Sequence, residues 1–205
     1  MIKNLIFDVG NVLLEYRWVE ALADTGLDME TAKKVFNEMF LNPLWVEADA
    51  GTKQQDELIV EFGKMFPSYA GNIKEFIMHG ERMHLPRPEV WEKIHRLKEK
   101  GYAIYLLSNY SKFLFDIHTK GASFMDDIDG KVVSYEIHQV KPDRGIYETL
   151  LNRFSLKPEE CIFFDDRKEN TDTAKELGIK TCTIESRDHI NKVLSDLIEE
   201  KDHSL

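Results

Sequence analysis

Four polar signals stand at the ends of apolar runs or in the loops between elements: Asp8, the pair Ser108-Asn109, Lys141, and the pair Asp165-Asp166. Their chemistries are complementary. The carboxylates of Asp8 and Asp166 can hold Mg²⁺, a hard cation that takes oxygen ligands and keeps several waters. The Lys141 ammonium can neutralise a phosphoryl oxygen as a point charge. The Ser108 hydroxyl and nearby backbone N–H groups can donate to another. With metal and ammonium spreading the negative charge, Asp8 can attack phosphorus and form an aspartyl-phosphate. Plainer readings exist for three of the four: Asp8 as a turn cap, Ser108-Asn109 as a turn, and Lys141-Pro142-Asp143 as an exposed turn. The adjacent acids Asp165-Asp166 resist such a reading, because two neighbouring carboxylates at the end of a buried strand repel unless a cation is present.

These residues are far apart in sequence, so a scaffold must gather them. Residues 3–9 read as a buried central strand, with Leu5, Ile6 and Phe7 unbroken by a polar residue up to Asp8. Gly10 lets the backbone turn where a side chain would obstruct it. From Trp18 to about Leu85 the pattern is helical throughout. Trp18, Ala21 and Leu22 share a face that stops at Gly26. Asp28 is placed to cap a helix carrying Ala32, Val35, Phe36, Met39 and Phe40. A short piece starts at Pro43 and breaks at Gly51. Thr52 with Gln55 suits a capping box for a helix through Leu58, Ile59 and Phe62, ended by Pro67. A last helical pattern runs through Ile73, Phe76, Ile77 and Met83. Strands and helices then alternate. Helices are expected around Val90, Ile94 and Leu97, over 111–120 and 146–154, up to Gly178, and over 189–199. Strands are expected at 102–107, 132–135, 161–164 and 180–184. Alternation predicts an α/β fold, a parallel sheet with helices on both faces. In such a sheet the strand exits share one edge, where ligands collect. Residues 199–203 read as a frayed acidic tail.

The bulk numbers narrow the function. The chain has 205 residues, 42% hydrophobic and 31% charged, which suits a folded domain with an elaboration. A net charge of −10 leaves no basic surplus to neutralise a nucleic acid backbone. It leaves room for a small phosphate ester in a local pocket. Cys161 and Cys182 lie in apolar stretches and read as free thiols rather than a disulfide. No signal peptide precedes the first strand and no apolar run reaches membrane-spanning length, so no membrane association is expected and the cytoplasm is the expected location.

The motifs resemble those of the haloacid dehalogenase superfamily across nearly the whole chain. Phe7-Asp8-Val9-Gly10-Asn11-Val12 resembles its nucleophile motif, and Leu107-Ser108-Asn109 its phosphate-contacting second motif. Lys141-Pro142 resembles its lysine motif, and Phe163-Phe164-Asp165-Asp166-Arg167-Lys168-Glu169-Asn170 its acidic fourth motif. The resemblance implies a Rossmann-like core from residues 1–15 and 86–205, with an inserted all-helical cap over 16–85 acting as a lid. It implies Asp8 as nucleophile and metal ligand, Lys141 as its catalytic partner, and Ser108, Asn109 and Lys141 as substrate contacts. The Gly10 carbonyl and Asp166 would be the other Mg²⁺ ligands, Asp165 a supporting acid, and Asn170 a loop-ordering or metal-water contact.

One departure matters. Most phosphatases of the superfamily carry a second Asp two residues after the nucleophile as general acid and base, and this chain has Gly10 there. A missing acid/base costs about 10²–10⁴-fold when nothing replaces it. The Asp-x-Gly-Asn-Val form resembles a subgroup of sugar-phosphate phosphatases, including α-glucose-1-phosphate phosphatase-like proteins, which share the Gly. The expected function is therefore Mg²⁺-dependent hydrolysis of a small phosphorylated metabolite. Alternatives are a metal-free 2-haloacid dehalogenase, which the acid pair argues against, and a non-catalytic binding protein of the same fold. Phosphoryl return by a mutase is weaker still without the second Asp. Tyr16, Arg17 and Trp18 open the cap, placed to face the substrate; Arg17 reads equally as a substrate contact or a solvated hinge charge, and Trp18 as substrate-facing or cap core. His79 and His84 are five apart, wrong for a metal pair on one helical face. His118 and His138 read as surface residues. The Phe and Met residues of the cap read as packing, and its exposed surface offers a face for a homodimer.

Overall fold

The computed structural model describes residues 1–202. Five parallel strands form the central sheet in the order β5-β4-β1-β6-β7. They are β1 (Asn4–Phe7), β4 (Ala103–Ser108), β5 (Gly130–Val133), β6 (Cys161–Asp165) and β7 (Lys180–Thr183). The first strand is central because it is buried on every side: Leu5, Ile6 and Phe7 are fully buried. Phe7 pairs with Leu106 of β4 and with Phe164 of β6, and its ring stacks on Phe164 at 4.7 Å.

Alternate residues of each strand serve opposite faces, which explains the continuously apolar runs. Leu5, Phe7, Leu106 and Phe164 pack with α6 (Pro88–Glu99) and α11 (Arg187–Asp202). Ile6, Leu107 and Phe163 pack with α9 (Arg144–Arg153) and α10 (Lys168–Glu176). Val90, Ile94 and Leu97 line one face of α6, as their spacing predicts, and all three are fully buried. The last helix continues to Asp202 through most of the tail expected to fray; His203 lies outside the described residues. Both cysteines are free.

Five helices fill the stretch after the first strand: α1 (Trp18–Ala23), α2 (Met29–Phe40), α3 (Pro43–Asp49), α4 (Gln55–Met65) and α5 (Ala70–Met78). Asp28 caps α2 by accepting from Thr31 N at 2.9 Å. The expected box at Thr52 and Gln55 shifts by two residues: Glu57 accepts from Gln54 N at 2.8 Å, while the Thr52 hydroxyl closes the preceding helix on Glu47 O. A two-stranded antiparallel ribbon was not legible in advance. Its strands β2 (Leu14–Tyr16) and β3 (His84–Pro86) bracket the helical stretch, with Tyr16 opposite His84.

His118, expected at the surface, is buried in α7 (Lys112–Thr119) under the helices that follow β2. It sits one turn from Leu114 and Phe115, both buried, so the helical period placed it inside. Its Nε2–H donates to Gly80 O at 2.9 Å, so Nδ1 is the acceptor for the Tyr110 hydroxyl at 3.0 Å. Burial, aided by nearby His84 and opposed by the Gly80 carbonyl, lowers its pKa to about 4. Between the ordinary histidine value and 4 the unfolded chain binds the extra proton, so this group's contribution is complete above about 6.5 and is lost as pH falls toward 4. We expect the stability advantage of wild type over His118→Gln to shrink by about 3 kcal/mol across that window. Urea unfolding of both proteins at several pH values measures it; a constant difference contradicts it.

Candidate active site

Asp8 follows β1 directly, and the strand register sets it level with Leu107 and Asp165 on either side. Its Oδ1 accepts from Val9 N at 2.8 Å and from the Ser108 hydroxyl at 2.5 Å. The Lys141 ammonium lies 2.9 Å from the same oxygen and 2.6 Å from Asp165 Oδ2, and donates to Leu107 O at 2.9 Å. A buried ammonium is tolerable only when so surrounded. Burial alone would lower its pKa, but Asp165 and Asp8 reverse that and hold it above the ordinary lysine value.

Asp165 is fully engaged within the protein. Oδ1 accepts from Arg167 N at 2.8 Å and from Asn170 Nδ2 at 2.9 Å, while Oδ2 faces Lys141. Its position fixes the lysine. Asp166 faces outward and accepts from Asn11 Nδ2 at 2.9 Å. Asn109 bridges to the lysine loop through both amide ends, donating to Lys141 O at 2.9 Å and accepting from Lys141 N at 2.8 Å.

Oxygens of Asp8, Asp165 and Asp166 all lie within 4.8 Å of one another. Three carboxylates share one ammonium. Burial, with repulsion from Asp165 and Asp166, pushes the Asp8 carboxyl up to about 7 against the opposing pull of Lys141. Burial raises Asp166 as well. This donor set is all oxygen, negatively overcharged and partly open to the cavity, which fits a hard divalent cation.

The loop after Asp8 is held by its carbonyls. Arg87, almost fully buried, donates to Asn11 O at 2.6 Å, and Trp91 Nε1 donates to Leu13 O at 2.7 Å. Asn11 takes the left-handed turn at φ 53°, so the strained conformation falls on Asn11 rather than on Gly10. Gly10 answers a different constraint. A Cβ there would lie 2.2 Å from Tyr16 Cε2 and 2.4 Å from the Tyr16 hydroxyl. The Tyr16 ring occupies the space that a side chain at position 10 would need.

A cavity of about 450 Å³ opens above these groups. Asp8, Gly10, Asn109, Lys141, Asp166 and Asn170 line it, whereas Ser108 and Asp165 stand behind the lining. Arg17 does not reach it. Its guanidinium donates to Asp24 at 2.9 Å and to Arg82 O at 3.0 Å, so the charge staples α1 to the segment before β3. Of its two sequence readings, these hydrogen bonds favour the hinge charge over the substrate contact. Trp18, Phe36, Phe40 and Trp45 form an aromatic wall opposite the acids. Trp18 therefore both packs the helices and faces the cavity. Sequence reasoning missed Asn11, Asp49, Arg87 and Tyr110, while Tyr16, read as opening the cap toward the substrate, does line the cavity. Only Asn11 carried a signal, as an Asn following Gly at a strand exit.

A parallel sheet delivering an aspartate, a serine, a lysine and an acid pair to one edge, beneath an inserted helical layer, defines a hydrolase architecture. The haloacid dehalogenase-like hydrolase family matches residues 2–178, and the chain belongs to that family. A D-ribitol-5-phosphate phosphatase of Bacteroides thetaiotaomicron is 26% identical over 207 residues, covering 91% of this chain and 93% of the relative. Drimenol cyclase of Aspergillus calidoustus is 24% identical over 201 residues, and the chain spans 96% of itself but only 37% of that larger protein. A haloacid dehalogenase family enzyme of Bacteroides thetaiotaomicron, crystallised with magnesium and inorganic phosphate, superimposes with a TM-score of 0.73 at 24% identity, covering 91% of this chain and 96% of that one.

Proposed function

We propose that this protein is a Mg²⁺-dependent phosphatase of a small phosphorylated metabolite, with a sugar phosphate as the favoured class, acting through a phospho-aspartate at Asp8. The observation that carries the reading is the grouping of Asp8, Lys141 and Asp166 at one sheet edge with a surplus of negative charge. Full-length similarity to a ribitol-phosphate phosphatase supports the substrate class. An Asp8 oxygen attacks phosphorus, and the Lys141 ammonium and Ser108 hydroxyl, already gathered at Oδ1, hold the phosphoryl oxygens. Asp165 and Asn170 keep the lysine aimed. Asp8, Asp166 and the Gly10 carbonyl would hold the Mg²⁺, which supplies charge neutralisation at the phosphoryl group. Residues 16–85 act as the cap over a core of 1–15 and 86–205, excluding water and choosing the substrate. Two free thiols suit a reducing compartment such as the cytoplasm.

A panel of phosphate monoesters assayed with Mg²⁺ tests the reading. Hydrolysis of at least one sugar phosphate is expected, falling about 10²-fold or more on chelation with EDTA, since metal stabilisation of the transferring group is worth several kcal/mol. Turnover unchanged by EDTA removes the proposed mechanism.

A further inference from the structure

Protonating the leaving group needs an acid, and Gly10 has no side chain to provide one, the Tyr16 ring lying where it would be. We propose that Asp49, at the end of α3, is the proton donor to the leaving oxygen and then the base for the attacking water. The inference rests on the phosphatase reading and assigns the role that reading leaves open.

Geometry carries the argument. Asp49 lines the same cavity as Asp8, facing it from the helical layer. Of the carboxyls lining that cavity, Asp8 and Asp166 are committed to the phosphoryl and cation side, which leaves Asp49. Its placement is built in from the core. Ser134 donates to Asp49 O, and His138 Nδ1 lies 2.7 Å from Ala50 O, the next carbonyl. Gly51 follows at φ 72°, where a Cβ would lie 2.6 Å from Tyr135 O, so only glycine permits this approach. Three contacts within three residues thus seat the end of α3 on the core. Tyr16 and Tyr110 also face the cavity, but burial holds both phenols well above 10, too weak as acids to serve and poor as returning bases.

The environment of Asp49 suits an acid that must also act as a base. Burial pushes its carboxyl up to about 7; the Ser111 backbone N–H opposes this, Asp8 reinforces it, and Arg167 and Lys141 oppose it. The chemistry balances. In the first step a bond forms from an Asp8 oxygen to phosphorus, the bond from phosphorus to the leaving oxygen breaks, and the Asp49 proton passes to that oxygen. In the second, water oxygen bonds phosphorus, the Asp8–phosphorus link breaks, and a water proton returns to Asp49.

Leaving-group dependence separates this role from a structural one. With the full-length protein and Mg²⁺, Asp49→Asn is expected to slow first-turnover alcohol release from a sugar phosphate about 10²–10⁴-fold. Release of dinitrophenolate from 2,4-dinitrophenyl phosphate needs no proton, so a burst stoichiometric with enzyme is expected to survive, followed by slow turnover. The burst also shows that the variant folds. Asp49→Glu is expected to recover part of the sugar-phosphate rate. Equal losses on both substrates, or no loss on either, overturn the assignment. If wild type hydrolyses no phosphate ester with Mg²⁺, the phosphatase reading fails and this assignment with it; if wild type turns over, only the role of Asp49 is at stake.

Discussion

Asp8→Asn is expected to abolish turnover, lowering kcat on the order of 10⁴-fold or more, because a carboxamide cannot serve as the covalent nucleophile. The loss should come without unfolding. In wild type the Asp8 carboxyl is raised to about 7. Such a group is protonated in the folded protein and ionised in the unfolded chain between about 4 and 7, so stability declines as pH rises through that window. The cost of the buried charge is absent at lower pH and complete above about 7. Asn cannot ionise, so in EDTA the variant should show a flatter decline and match or exceed wild type at neutral pH. Acid-quench trapping of labelled phosphate on wild type, and its absence from the variant, is the direct measurement. Residual activity within about tenfold of wild type would sink the nucleophile assignment.

Lys141→Met is expected to be the most destabilising single change at the site. Lys141 is 4% exposed, and its ammonium touches Asp8, Asp165 and Leu107 O. Removing one member of a buried pair leaves its partners uncompensated and costs about 3–5 kcal/mol. Against a total stability of roughly 5–15 kcal/mol, that is a large fraction. Loss of a donor to the transferring oxygens would add about 10²–10³-fold in kcat. The cause can be isolated with Asp165→Asn, which removes the most deeply buried acid. The double variant should be more stable than the sum of the single losses predicts, since the two residues share one interaction. Chemical denaturation in EDTA at neutral pH decides it; additive losses would mean that the pair is energetically idle.

The polar positions were readable because parallel-sheet logic constrains them strongly. An apolar run that ends in Asp8, Ser108 or Asp165 leaves each side chain at the same edge once the strands align. Helix faces such as that of α6 were readable from period alone. What escaped was contact made across the fold. The ribbon of β2 and β3 is three residues long on each side and includes Glu15, His84 and Pro86, too short and mixed for a period-two signal. Arg17 stayed undecided between two readings because its partners, Asp24 and the Arg82 carbonyl, are set by packing of the helices. Arg87 carries no distinguishing mark in the sequence, yet its guanidinium bonds the loop that carries Gly10 and Asn11. His118 was misread although its spacing from Leu114 marked it as inward. Asp49 had no local mark at all, as its meaning depends on a core surface formed by residues 134–138.

The ribbon has an evolutionary corollary. Tyr16 and His84 are direct cross-strand partners, so the residues between them begin and end within about 5 Å of each other. A polypeptide insert with adjoining ends can be lengthened, trimmed or traded for another module while the strands beneath keep their register. New specificities can therefore be sampled in this lineage by grafting at one seam, with the reactive floor inherited intact.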